Sequence, residues 1–155
     1  MSTPPSPYTT SIHGSHTIHY RTYLSESDLS HINTLVSPSL SEPYSVYTYR
    51  YFLLKWPRSC VFAFSSPSSS SPPPSPGLEA SDGYECVGCC ICKVDVTEAG
   101  SCDADCDDVT GVTLEVEEGN KAMHVYRNMG FVEVGRWKGY YLNGSGARRF
   151  KLKVQ

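Results

Sequence analysis

Residues 112–143 read VTLEVEEGNKAMHVYRNMGFVEVGRWKGYYLN. Val112–Val116 predicts a strand, with Leu114 and Val116 alternating about Glu115. Asn120–Met129 predicts a short helix that sets Ala122, Val125 and Met129 on one side. Gly130 sits where a left-handed residue closes a helix. Phe131–Lys138 and Arg149–Val154 predict two closing strands, joined through GYYLNGSGA. Strand, helix and two strands in succession point to an α/β chain.

The N-terminal half carries the same mixture. Ile18–Tyr23 alternates and predicts a strand. Ser25 followed by Asp28 has capping-box spacing. Leu29, Ile32 and Val36 then share a helical face, and Pro38 stops that helix. A second helix is expected from near Pro43 to Trp56, with Tyr44, Tyr47, Tyr51 and Leu54 as its stripe. Ser59–Phe64 and Tyr84–Val96 complete the strands. The expected fold class is α/β, with a mixed β-sheet flanked by helices.

Residues 1–16 predict a disordered tail, because Ser, Thr, Pro and His bury too little apolar surface to order themselves. Residues 17–155 predict a single domain. Within it, 65–83 (SSPSSSSPPPSPGLEASDG) is a solvated insertion and reads as an overgrown hairpin connection. A Ser-Pro phosphorylation loop is the alternative reading. With 13 basic and 16 acidic residues the net charge is −3, which leaves no footprint for direct nucleic-acid binding. No apolar run reaches the length of a membrane span, and the N-terminus has no charged region leading into an apolar one. A cytoplasmic protein without membrane contact is therefore expected. His13, His16, His19 and His31 crowd the N-terminal stretch, where a solvated tail competes with a metal-binding one.

Seven cysteines are many for such a chain. Cys86-x-x-Cys89 has the spacing of a zinc knuckle. However, Cys86, Cys89, Cys90 and Cys92 fall in one strand-like run. Strict alternation puts Cys86, Cys90 and Cys92 on one face and Cys89 on the other. Four ligands on one strand cannot converge tetrahedrally, so no metal is expected and small buried thiols are the favoured reading. A site from Cys90, Cys92, Cys102 and Cys106 stays geometrically open.

Two blocks resemble the catalytic subunit of the NatC N-terminal acetyltransferases, members of the GNAT superfamily. The first is LSEPYSVYTYRYF (Leu40–Phe52), continued by Trp56-Pro57, Cys60–Phe64, Glu85–Gly88 and Cys92-Lys93. The second runs through Val112–Glu117, Asn120–Ala122, Val125-Tyr126, Gly130–Val132 and Gly139–Gly144. Together they span roughly two thirds of the chain. The resemblance implies a GNAT-like sheet and transfer of acetyl from acetyl-CoA to the α-amino group of a nascent polypeptide. The implied substrate begins with Met followed by a bulky apolar residue. The implied partners are a large auxiliary subunit and a small Sm-like subunit at the ribosome.

Residue by residue, Glu115 matches the family's base and Tyr126 the hydroxyl beside the CoA sulfur. Asn120 matches the residue that holds the pantetheine arm. Glu42 and Tyr44 match the loop that grips the first substrate residues, and Tyr140 and Tyr141 match the hairpin closing over the peptide. Each has a plainer alternative: a solvated edge-strand acid for Glu115, core packing for Tyr126, a helix N-terminal acid for Glu42 and hairpin packing for the tyrosine pair.

The chain also departs from the family. A Gln/Arg-x-x-Gly-x-Gly/Ala loop, whose amides hold the CoA pyrophosphate, is absent, and 95–111 reads DVTEAGSCDADCDDVTG instead. The central strand and the CoA-loop helix are therefore expected to be missing. The segment from Asn120 to Tyr126 is one residue shorter than the family pattern, which turns a helix by ~100°. The alternative to an active transferase is a catalytically inactive or incomplete relative acting only as a binding subunit.

Overall fold

The computed structural model describes residues 9–13, 15–40, 42–67, 83–95 and 110–154. The chain divides into two compact units, Met1–Asp105 and Cys106–Gln155, each with its own core, where the sequence reading has one domain over 17–155. Every described strand pairing is antiparallel.

The first unit contains β1 (Thr9–His13), β2 (His16–Thr22), α1 (Asp28–Val36), α2 (Val46–Lys55), a 3-10 turn (Pro57–Ser59), β3 (Cys60–Pro67) and β4 (Glu85–Ile91). Its sheet runs in the order β1-β2-β3-β4. Cys60, Phe62 and Phe64 alternate along β3 and are fully buried. They pack against Leu29 and Ile32 of α1 and Tyr49 and Leu53 of α2. Burying each large side chain of this kind contributes about 1.5–3 kcal/mol.

Three expectations are corrected here. Thr9–His13 is a strand rather than part of a disordered tail, because its backbone completes a ladder with β2, Thr9 facing Tyr20. Residues 65–67 belong to β3 rather than to the Ser/Pro-rich insertion: their backbone pairs with β2, Ser65 facing Ile18 and Pro67 facing His16. The insertion does join two antiparallel neighbours, β3 and β4, while 68–82 lies outside the described residues.

The stripe of α2 is the third correction. Tyr44, Tyr47, Tyr51 and Leu54 face outward, whereas Tyr49, Leu53 and Trp56 are buried. The helix has two apolar stripes, and Val46, Tyr49 and Leu53 win because that set meets β3 and α1. The helix starts at Ser45, whose side chain accepts the Thr48 N–H at 3.4 Å. Ser45→Ala is expected to lower stability by about 0.5–1 kcal/mol, read as the midpoint of urea unfolding.

Asp28 explains how α1 attaches to the sheet. Its carboxylate accepts two hydrogen bonds from Arg21 of β2, at 2.7 and 2.9 Å, and both side chains are fully buried. The same carboxylate takes the backbone N–H of Leu24 at 3.0 Å and of Ser25 at 3.4 Å. Only half of the predicted capping box therefore forms, since the Ser25 hydroxyl turns to Ser27. The Arg21 guanidinium lies over the Phe64 ring at 4.6 Å.

The second unit contains β5 (Gly111–Glu117), α3 (Ala122–Asn128), β6 (Val132–Trp137) and β7 (Ala147–Lys153), with sheet order β5-β7-β6. Val116, Phe131 and Phe150 form its core, with Val112, Leu114, Ala122, Met123, Tyr126 and Leu152 around them. Met123 and Tyr126 therefore face inward beside Ala122. Val125 and Met129, expected on the inner side, are more than half exposed.

Candidate functional site

The end of α3 fixes Tyr126. Gly130 has φ +92°, the left-handed conformation glycine adopts without a Cβ clash. Its N–H donates to Arg127 O, and the next N–H, of Phe131, donates to Tyr126 O, both at 3.0 Å. This bond pair is a Schellman motif, and the apolar contact that accompanies such motifs is present. The Tyr126 and Phe131 rings meet edge-on with centroids 5.5 Å apart. Phe150 lies beneath, 6.5 Å from Tyr126. A helix-closing motif and the core thus both orient the Tyr126 ring.

Glu115 lies on the other side of the same sheet. Val112, Leu114 and Val116 point to the face that α3 covers, so the intervening Glu115 points away. Across the ladder it faces Arg149, whose Nε donates to the Glu115 carboxylate at 2.7 Å. Arg149 in turn stacks over Trp137 at 4.3 Å. Gly135 leaves room for that indole, since a Cβ there would come within 3.0 Å of the Trp137 ring. The sequence reading missed Arg149. The acidic run of β5 opposite Arg148-Arg149 was the available signal, because opposed charges across a ladder attract.

Glu115 and Tyr126 therefore do not converge on one face. β5 is an edge strand among the described residues. Asn120 sits just beyond it and caps α3, its Oδ1 accepting the Ala122 N–H at 2.8 Å. Tyr140 and Tyr141 lie in the link from β6 to β7, with ring centroids 5.1 Å apart. Tyr140 is half-exposed, and the turn is tied by Asn143 to Glu117 at 2.8 Å.

Glu42 and Tyr44 belong to the first unit, in the link between α1 and α2. Glu42 is half-buried. Tyr44 is exposed, and its N–H donates to the Tyr49 hydroxyl at 3.3 Å. Its ring borders a shallow recess with Phe52, Trp56, Lys55 and Lys93. Lys55 carries its ammonium over the Trp56 ring at 4.8 Å. Asp95 completes the rim and pairs with Lys93 at 2.7 Å.

The cysteines sit differently from the expectation. A bulge between Ala63 and Phe64 opposes two residues of β4, Val87 and Gly88, to one step of β3. Alternation restarts there, so Cys86 and Cys89 both pack against the core and Cys90 faces away. Among the described residues no three His, Cys, Asp or Glu side chains gather as a metal site. Cys102 and Cys106 lie outside those residues.

A scan against protein-family models matches none. Individual relatives do match. N-alpha-acetyltransferase MAK3 of Arabidopsis thaliana is 32% identical over 166 residues, which cover 87% of this chain and 77% of that protein. The chain belongs to the N-alpha-acetyltransferase 30 family. N-alpha-acetyltransferase 30 of Xenopus laevis and of Homo sapiens are each 34% identical over 168 residues, covering 88% of this chain. The chain spans about half the length of these two relatives, 54% and 41% respectively. Among solved structures, the NatC complex bound to Gag peptide and CoA contains a chain with TM-score 0.67 at 25% identity, covering 89% of this chain and 99% of that one. Ard1 from Thermoplasma volcanium shares the fold with TM-score 0.61 at 20% identity, over 91% of this chain. The fold of this family member is thus the α/β GNAT fold, built from antiparallel sheets flanked by helices. Among the described residues no helix is long and apolar enough to cross a membrane.

Proposed function

We propose that the chain is a NatC-type peptide N-α-acetyltransferase, moving acetyl from acetyl-CoA to the α-amino group of Met followed by a bulky apolar residue. The observation that carries this reading is the match to the Arabidopsis relative over most of both chains. In the proposed reaction Glu115 takes the proton of the attacking amine, directly or through water. The amine nitrogen bonds to the thioester carbonyl carbon, the C–S bond breaks, and Tyr126 protonates the departing thiolate. Asn120 holds the pantetheine arm. Glu42, Tyr44, Tyr140 and Tyr141 hold the peptide's first residues. An α-amino group titrates near ~8, so part of the peptide is already free amine at neutral pH and a modest base suffices. On this reading the base and the acid work from opposite faces of β5.

On this reading Glu115, Tyr126 and Asn120 meet the thioester end of the co-substrate, and no described residue cradles its pyrophosphate. No Gly-x-Gly turn precedes a described helix, and the Ala122 amide at the start of α3 is already capped by Asn120. The reading therefore includes loss of the family's central strand and CoA-loop helix between Val94 and Val112. It also treats 17–155 as one acetyltransferase domain, working in the cytoplasm at the ribosome with a large and a small Sm-like auxiliary subunit, without direct nucleic-acid or membrane contact. A second reading, a binding subunit without catalysis, is favoured by that missing loop.

Calorimetric titration of acetyl-CoA into the purified chain decides between them. Saturable binding in the micromolar range is expected, followed by acetylation of a Met-Leu peptide when the auxiliary subunits are added. A folded sample that releases no heat leaves the binding-subunit reading in its place.

A further inference from the structure

The proposed reaction leaves the Cys90–Cys92 pair unused. All five described cysteines are unbridged. Cys60, Cys86 and Cys89 belong to the core side of the first unit, and burial pushes all three thiols up, Cys86 to about 11. Cys90 differs. It faces Val61 across the ladder, on the side away from the helices, and is exposed. Its Sγ lies 3.5 Å from the Sγ of Cys92.

Cys92 has left the strand, and its backbone is held at both ends. Its N–H donates to Ser59 O at 3.2 Å, and its carbonyl accepts the Cys60 thiol at 3.8 Å. The Cys92 sulfur is therefore presented from an anchored backbone to the exposed Cys90 sulfur 3.5 Å away.

We propose that Cys90 and Cys92 form a reversible redox dithiol that a hydroperoxide converts to an intramolecular disulfide. The Cys90 thiolate attacks a peroxide oxygen. An S–O bond forms as the O–O bond breaks, and the departing oxygen leaves as water or alcohol after taking a proton. Cys92 sulfur then attacks the Cys90 sulfenic acid: the S–S bond forms, the S–O bond breaks, and the hydroxyl leaves as water with the Cys92 proton. Two thiols lose two electrons and the peroxide gains them. Closing the bridge needs the sulfurs to move from 3.5 Å to about 2.05 Å, within reach of a side-chain rotation.

The acidity of the pair agrees with these roles. Hydrogen bonding between the two sulfurs brings the Cys90 thiol down to about 6 and pushes Cys92 up. Cys90, the exposed member of the pair, is the nucleophile, and Cys92, on its anchored backbone, is the resolving thiol.

The test uses the reduced full chain treated with one equivalent of hydrogen peroxide, then alkylated, digested after Glu85 and Lys93 and fragmented in a mass spectrometer. The expected product is an 86–93 peptide two hydrogens lighter, bridged at Cys90–Cys92 and restored by dithiothreitol. In Cys92→Ser the reaction is expected to stop at a Cys90 sulfenic acid trapped by dimedone, while Cys86→Ala leaves the bridge intact. Iodoacetamide should label Cys90 in the folded chain at least about tenfold faster than Cys86 at neutral pH. A bridge to Cys86, Cys89, Cys102 or Cys106, equal labelling rates, or full alkylation of Cys90 and Cys92 after peroxide would each overturn the proposal. None of these readouts depends on acetyl transfer.

Discussion

Asp28→Asn is expected to lower the stability of the first unit by about 3–5 kcal/mol, the usual cost of stripping one partner from a buried ion pair. The substitution keeps the side-chain volume and removes the charge. It takes the Asp28 carboxylate away from the Arg21 guanidinium, which stays buried against Phe62 and Phe64. It also weakens the acceptor for the Leu24 and Ser25 amides, which tie the loop between β2 and α1. Urea unfolding followed through Trp56 reads the loss. A double variant, Arg21→Met with Asp28→Leu, should recover much of it, because the buried charge rather than the lost bridge dominates the penalty. An equally unstable double variant would mean that the loop amides carry the cost.

The same pair sets a pH signature. Burial pushes the Asp28 carboxyl up, but Arg21 and the two amides outweigh it and hold the group below its ordinary range. The unfolded chain therefore binds this proton more readily than the folded one. The stabilisation is complete above the unfolded value near ~3.9 and is lost as pH falls through the lower folded value. Wild-type stability should drop through that acid window more steeply than that of Asp28→Asn. Parallel curves would show that other carboxylates control acid unfolding.

Which parts of this arrangement were legible in the sequence follows from where the decisive interactions lie. Gly130 as a helix closer was legible because the signal is local: one residue needs a positive φ, and glycine supplies it. The faces of α2 and α3 were not, because each helix offers two apolar stripes and the choice depends on the partner sheet. Tyr49 and Tyr47 look alike as letters, yet one is 3% exposed and the other 74%. The cysteines failed for a related reason. Period-two alternation assumes an unbroken ladder, and the bulge at Val87 moves Cys89 to the core side and leaves Cys90 outside. β1 was hidden because Thr and Ser in a polar segment look unstructured until a neighbouring strand supplies the hydrogen bonds. At the candidate site, Glu115 and Tyr126 came from resemblance. Their placement on opposite sheet faces needed the register of Leu114 with Phe150 and of Glu115 with Arg149.

That register makes the second large effect specific. On the proposed transferase reading, Glu115→Gln lowers kcat by about 10²–10⁴, the usual contribution of a positioned general base, and leaves KM near its wild-type value. Glutamine keeps the volume and an oxygen for the Arg149 Nε–H, so the ladder and the Trp137 stack should persist. The Glu115–Arg149 pair is partly exposed, with side chains 28% and 44% accessible, so its loss costs at most about 1 kcal/mol. A structural role for Glu115 therefore predicts a small stability loss and unchanged kcat, and the two roles separate in one preparation. Arg149→Gln sharpens the test, because it frees the carboxylate from its guanidinium without removing it. Its kcat should fall far less than that of Glu115→Gln. Tyr126→Phe probes the other face in the same way: the ring stays in the Schellman contact with Phe131 and the hydroxyl is lost. If Glu115→Gln acetylates a Met-Leu peptide at the wild-type rate, the amine loses its proton elsewhere, and the carboxylate on the outer face of β5 is only the cross-strand partner of Arg149.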